Sequence, residues 1–484
     1  MSGVLLIFLI TGLVYWPTLK FGHIIDDLAW AEAIGKGQFK YGNWRNKISN
    51  RLYGCGTFTL NTWWDHAFQV FLHATASSLI YLGFGSSPVS LCAGLLYAVN
   101  PANNQTAIWL NGRRYLVNVI IVLLMLCLGP WGMILYPLTA FYQVNAIFAP
   151  VMYGLDVWWV LLGLPVFWLI AGKSIRAKVA SRLKIIHNDD QTKFRPRKLI
   201  PIVKVYGAYC LKMISPGRSM MIYPFLHYWG MTKDGNDDAY RLNWTFWGGV
   251  FALCVSIAGL VHYWPQGQLF WTFLFMMLSI LQWCGFISVT QIFTDRYVSL
   301  SNAFMMFFVC DVLFEFLGAL ALVPIGMLAG NYFANLQTVF GMYPNVWAFY
   351  DYHIYHHPEG PKCREFKASR LIKVCNDPMG AWEVTKRGLE LNPLDMKLNM
   401  CAAWCMDILG DKAAVIQYVK VARDNAYIGQ GFIVDKFQKD LFGIDIKEEV
   451  EKINNKQSAF DRKQRDNILA IYNALYPQAV NAGL

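Results

Sequence analysis

Apolar residues run in long blocks through the first two thirds of the chain, at residues 3–19, 67–84, 89–99, 116–128, 133–148, 157–171, 199–214, 244–261, 269–289, 298–310 and 316–330, with short polar or aromatic stretches between them. A helix needs roughly 20 residues to cross the hydrocarbon core of a bilayer, and a helix satisfies its own backbone there. The pattern therefore predicts an all-α, polytopic membrane domain over residues 1–333, with about eleven transmembrane helices.

From about Ala334 the blocks give way to shorter amphipathic stretches, and residues 334–484 read as a separate helical domain. Its clearest part is a helix over 381–391 ending at Asn392-Pro393, a second from Asp395 to a stop at Gly410, and a third opened by Asp411. Each carries an apolar stripe at helical spacing. The Gly-Leu-Glu-Leu-Asn-Pro run is similar to a tetratricopeptide unit. One such unit cannot bury its own face, so helices before Pro378 or within 435–475 are expected to complete a stack.

Composition agrees with a membrane class: 56% of the 484 residues are hydrophobic and only 15% are charged. The opening Met-Ser-Gly-Val-Leu-Leu-Ile lacks both a basic leader and a cleavage site, which favours a retained helix over a signal peptide. Much of the +11 net charge lies in one loop, at Lys173, Arg176, Lys178, Arg182, Lys184, Lys193, Arg195, Arg197 and Lys198. Basic loops stay cytoplasmic, so counting spans from this one puts both the first outer loop and the C-terminal domain on the extracytoplasmic face. The membrane would be a bacterial inner membrane or the endoplasmic reticulum. Topology and anionic lipid headgroups account for the charge without nucleic acid. In that compartment Cys363, Cys375, Cys401 and Cys405 can form a disulfide, although the pairing is not readable.

Asp26 and Asp27 stand just beyond the first apolar block. Carboxylates are expensive near lipid, and they are useful there as a base that takes a proton from a substrate at the bilayer surface; a solvated loop is the plainer reading. Arg51 follows in the same outer loop, then Asp65 and His66, with His73 two helical turns further on the same face. His73 reads more simply as a packing residue. A turn at Asn100-Pro101-Ala-Asn-Asn-Gln-Thr106 leads to Arg113 and Arg114, which open a helix on the side where basic residues are scarce. A guanidinium fork matches a phosphate, and snorkelling to headgroups is the alternative. Arg296 and Tyr297 repeat the arrangement at a later helix start, as phosphate ligands or as an interfacial anchor. Asp311 and Glu315, near the end of another apolar region, read as a cytoplasmic turn. His353, His356 and His357 have no second histidine box, so a di-iron centre is rejected; a zinc site with Cys363 is less favoured than an interfacial loop.

The order of these features resembles a family. An Asp-Asp pair after the first helix, a His-x6-His helix, the Leu-Leu-Tyr-Ala-Val-x-Pro turn leading to Gly112-Arg113, a later Arg-Tyr and a tetratricopeptide-like tail look like the transmembrane-and-tetratricopeptide-repeat protein O-mannosyltransferases and their bacterial relatives, in the GT-C superfamily. The resemblance implies a polyprenyl-phosphate-linked sugar donor, an extracytoplasmic protein or glycan acceptor, and inversion at the sugar. On that reading Asp26 or Asp27 is the catalytic base. Arg113, Arg114, Arg296 and Tyr297, with Arg51, His66 and His73, would contact substrate. The leaving group is a monophosphate that arginines can neutralise, so no cofactor is required, although two adjacent carboxylates can also hold a divalent cation. The chain departs from the family at Asn100 and Gln105, where family members carry His and Glu, and Asp295 stands where Glu is usual.

Two rivals predict different sites. An oligosaccharide ligase or polymerase would build its site from the loop at 213–243. A transporter or scaffold docking partners through the helical tail would not need the aspartates at all.

Overall fold

A computed structural model describes residues 2–24, 26–36, 61–139, 148–154, 199–216, 242, 244–286, 295–356, 358, 360–426, 431–443 and 462–475. Arg51, the basic loop at 173–198, the expected span at 157–171 and most of the 213–243 loop lie outside the described residues. Every regular element among those described is helical. The described residues fall into two compact units, one ending at Phe349 and the other starting at Tyr350.

In the first unit, α1 (Ser2–Tyr15) runs into a 3-10 turn (Trp16–Lys20), and α2 (Asp26–Gly35) follows. Next come α3 (Thr62–Gly83), capped by the Asn61 side chain on the Trp63 amide, and α4 (Pro88–Val99), opened by a Ser87–Ser90 capping box. These caps explain why both helices start where they do. After the turn at 100–112 come α5 (Arg113–Leu128), α6 (Leu199–Ile214), α7 (Trp244–Tyr263), α8 (Gln268–Leu281), α9 (Asp295–Leu317) and α10 (Leu322–Phe340).

Four helical runs, Ser2–Lys20, Leu110–Thr139, Trp244–Gln266 and Asp295–Phe340, are long and apolar enough to cross a membrane, and Pro88–Val99 and Gln268–Cys284 are shorter apolar helices. The last run is a hairpin. Tyr343 and Asp295 both bond the side chain of Asn104, at 2.5 Å each, although a straight helix would separate them by about 70 Å. The chain reverses in the 3-10 turn Gly318–Ala321, where Gly318 takes a φ of +54°. Asp311 and Glu315 are thus not a turn, as the sequence suggests: they lie one helical turn apart inside α9, before the reversal. Residue 334 sits within α10, and the division between the units comes later, inside α11 (Val346–His356).

The helices of the first unit share two ends. Gly3 meets Tyr81 and Tyr15 meets His73, so α1 and α3 run antiparallel. Gly94 lies against the Ser77 carbonyl, where a Cβ would approach to 2.7 Å, so α4 runs back along α3. Phe84 stacks on Phe307 at 3.8 Å and belongs to the apolar core between these helices, α5, α8 and α9. One end of this unit gathers the end of α1, the starts of α3, α5 and α9, and the ends of α4, α6 and α10.

The second unit contains α12 (Pro361–Lys373), α13 (Pro378–Leu391), α14 (Met396–Leu409), α15 (Lys412–Asp424), α16 (Gly431–Phe442) and α17 (Arg462–Leu475). Asp377, Asp395 and Asp411 each cap a helix start, accepting from the amides of Gly380, Leu398 and Ala414. Gly410 closes α14 in the left-handed conformation. Ala368, Ala381, Ala403, Val415 and Val419 form the core of the stack. Cys363, Cys375, Cys401 and Cys405 are all free thiols. Burial pushes the Cys405 thiol up to about 11, which keeps it protonated and unreactive near neutrality.

Candidate functional site

The turn after α4 is polar yet wholly enclosed: Asn100, Asn103, Asn104, Gln105 and Thr106 are each 0% exposed. Buried amides must be bonded to persist. Asn100 caps the 3-10 turn Pro101–Asn103 by accepting from the Ala102 amide, and its Nδ2 donates to the Met213 carbonyl at the end of α6 (2.8 Å). Asn302 donates to Asn103, and Asn103 donates to the Tyr97 carbonyl. Gly112 is required for this packing, because a Cβ there would lie 1.8 Å from the Gln105 carbonyl oxygen. The turn thus ties α4 to α6, α9 and α10 before it delivers the chain to α5.

On one side of the turn stands Asp27, 1% exposed, whose two carboxylate oxygens accept from the Leu110 amide (3.1 Å) and the Asn111 amide (2.8 Å). Each such charge-assisted bond contributes about 1.5–3 kcal/mol. Arg113, also 1% exposed, donates from Nε to Gln69 Oε1 (3.0 Å) and from Nη2 to the Asp65 carbonyl (2.9 Å), with its guanidinium 5.0 Å from the Phe68 ring centre. Gln69 in turn donates to the Thr106 carbonyl, closing a loop between α3, the turn and α5. His66, 3% exposed, packs edge-on to Phe21, and His23 lies 3.7 Å from Asp65.

On the other side stands Arg296, partly exposed, with its backbone amide on Gln105 Oε1 (3.4 Å). The rings of Trp109, Tyr115 and Tyr297 surround its guanidinium at 5.6, 5.9 and 5.1 Å. Tyr297 itself stacks on Trp283 at 4.0 Å. This cage orients the cation while leaving it charged. Arg114 is partly exposed and folds back on Asn111.

Hydrogen bonds and short stretches of backbone therefore link Asp27 to the 110–113 segment, Arg113 to Gln69, Gln69 to the 105–106 turn, and Gln105 to the amide of Arg296. They bring Asp27, His66, Arg113, Arg114, Arg296 and Tyr297 to one end of the first unit. Asp26 opens α2 beside Asp27. His73 is not part of the group: it is fully buried between the Tyr15 and Tyr97 rings and bonds the Ala98 carbonyl at 3.0 Å, as a contact between α3 and α4.

Sequence reasoning passed over Lys212. Its ammonium is buried 3.7 Å from Asp295 Oδ1 and donates to the Pro216 carbonyl (2.9 Å), while Asp295 Oδ2 accepts from Asn104. A lysine inside the apolar block 199–214 was the available signal, because an ionisable group at membrane depth is retained only with a partner. Among the described residues, no group of three or more His, Cys, Asp and Glu side chains has the arrangement to hold a metal ion. The chain matches no protein-family model, and comparison with curated proteins and with solved structures finds no match.

Proposed function

We propose that the chain is a GT-C-type membrane glycosyltransferase of about eleven spans. It transfers a hexose, mannose or glucose, from a polyprenyl-phosphate donor to an extracytoplasmic protein or glycan acceptor, with inversion. The observation that carries the reading is the hydrogen-bonded turn that ties Asp27, from the acidic pair after α1, to both arginine-bearing helix starts. The chemistry needs one base and positive charge near a leaving phosphate, and this arrangement supplies both at one end of the helices.

The roles divide between framework and chemistry. Asp27, held by two backbone amides, positions the turn, and Asp26 takes the proton from the acceptor hydroxyl as that oxygen attacks the anomeric carbon. Arg113 is committed to Gln69 and Asp65, so it holds the framework. Arg296 and Arg114, the less buried pair, neutralise the departing polyprenyl phosphate. The helical tail, in its tetratricopeptide-like stack, presents the acceptor.

The test is hexose release by the purified full chain in detergent from radiolabelled undecaprenyl- and dolichyl-phosphate mannose and glucose, with water as acceptor. Release from at least one donor is expected, falling on the order of 100-fold in Arg296→Ala. No binding and no release with any of these donors would shift the reading to the ligase or scaffold.

A further inference from the structure

The aromatic cage of Arg296 is also a cluster of hydrogen-bond donors. Trp109 is 4% exposed and its ring centre lies 5.6 Å from the Arg296 guanidinium carbon, yet among the described residues its indole N–H meets no acceptor. An indole N–H can only donate, and burying one without an acceptor costs about 1–3 kcal/mol. Tyr115 and Tyr297 face the same guanidinium through their hydroxyls. A guanidinium has donors and no acceptor, so a hydroxyl beside it offers lone pairs and turns its own proton elsewhere. The indole nitrogen is within about 8 Å of the guanidinium carbon, a gap that a single phosphate spans when its oxygens bond both groups. The surrounding charge suits an anion. Asp295, the residue before Arg296, is committed to Lys212 and Asn104, Gln105 Oε1 is taken by the Arg296 backbone amide, and Arg114, the residue before Tyr115, is partly exposed.

We infer that the Trp109 indole N–H and the Tyr115 hydroxyl bind the phosphate of the lipid-linked sugar beside Arg296 and stabilise the charge that gathers on it as the sugar leaves; this rests on the glycosyltransferase reading above. In the donor the phosphate is a diester carrying a single negative charge. As the acceptor oxygen bonds the anomeric carbon, the anomeric carbon–oxygen bond to phosphate breaks and its electron pair stays on the phosphate oxygen. The group becomes a monoester of higher charge. Trp109 and Tyr115 donate hydrogen bonds to it and transfer no proton. Donors placed where charge develops bind the product phosphate more tightly than the diester, and that difference is what lowers the barrier. The ligand is thus a phosphate monoester on an isoprenoid chain, and the headgroup phosphate of a bulk lipid is the competing source of the same chemistry.

The test is equilibrium binding of radiolabelled undecaprenyl phosphate, which carries no sugar, to the full chain in detergent, with phosphatidic acid as competitor and the unfolding midpoint measured alongside. Tyr115→Phe removes one oxygen and keeps the ring, and Trp109→Phe removes the indole N–H. Each is expected to weaken binding roughly 10-fold at an unchanged midpoint. The donor KM for hexose release should change by less than about 3-fold, because the diester carries less charge for these groups to meet. A packing role alone predicts that donor and product affinity fall together with the midpoint. If Trp109→Phe does not fold, Tyr115→Phe decides by itself. Undecaprenyl phosphate bound equally well by the folded variants and the unmodified chain would overturn the inference and leave the transferase reading to the hexose-release assay. Displacement by phosphatidic acid as readily as by unlabelled undecaprenyl phosphate would make the cage a headgroup anchor and overturn it too. Binding that weakens as expected, with no hexose release from any donor, would keep the phosphate site and sink the transferase reading alone.

Discussion

The two ends of α9 carry the same kinds of residue in opposite circumstances. At its start Asp295 is fully buried, shared between Lys212 and Asn104, with Tyr343 closing the far side of Asn104. About 24 Å further along the axis, Asp311 accepts from Tyr263 (2.9 Å), and one turn later Glu315 meets His262 (3.0 Å), with both partners of that second pair substantially exposed. Solvent can replace the Glu315–His262 bond but not the bonds at the first end. Desolvating an ion pair costs several kcal/mol, so the buried end is stable only as a complete set. The comparison shows where this protein fixes geometry: at the end that also holds Asp27, Arg113 and Arg296.

Breaking the buried end should have the largest effect. Lys212→Met removes the buried cation beside Asp295, and is expected to cost about 3–5 kcal/mol in thermal or denaturant unfolding in detergent. Adding Asp295→Leu removes the stranded charge, so the double variant should be more stable than the sum of the single losses; simple additivity would dissolve the contrast between the ends. Gly112→Ala comes next, at about 3 kcal/mol, because the new Cβ must displace the Gln105 carbonyl and the turn with it. Glu315→Gln, at the exposed end, should change stability by less than about 1 kcal/mol. If Glu315→Gln matched Lys212→Met, burial would not be what separates the two ends.

The same contrast appears within the second unit as a pH dependence. Burial raises the Glu365 carboxyl above the usual carboxylate range, with Lys397 opposing the shift. A raised folded value means that the folded state holds this proton more tightly than the unfolded one. Stability from this group is therefore present at low pH and is lost as pH rises from the ordinary carboxylate range through the raised value. Hydrogen exchange of α12 and α14 in the full chain should quicken across that window, and Glu365→Gln should flatten the trend. Exchange that slows with rising pH after correction for intrinsic rates would reverse the assignment.

Local chemistry was legible in the chain and distant partners were not. Asp395, Gly410 and Asp411 mark helix ends because capping involves neighbours a few residues away. The polar run at 100–106 was readable as a turn, but the groups that satisfy it are Met213 and Asp295, 113 and 191 residues from the amides they accept from. Arg296 was readable as a cation at a helix start, whereas its cage of Trp109, Tyr115 and Tyr297 combines two segments far apart in sequence. Asp311 and Glu315 misled because charge usually ends an apolar block. Here Tyr263 and His262 satisfy them within the helix, and the chain turns only at Gly318.

The most direct test sets Asp26 against its neighbour by measuring hexose release and unfolding together for Asp26→Asn and Asp27→Asn. Asp26→Asn should keep donor binding and the unfolding midpoint while release falls on the order of 100-fold or more. Asp27→Asn should lower stability by about 1–3 kcal/mol as the turn loses its charged acceptor, with activity falling alongside. Release at the unmodified rate from Asp26→Asn would contradict the account.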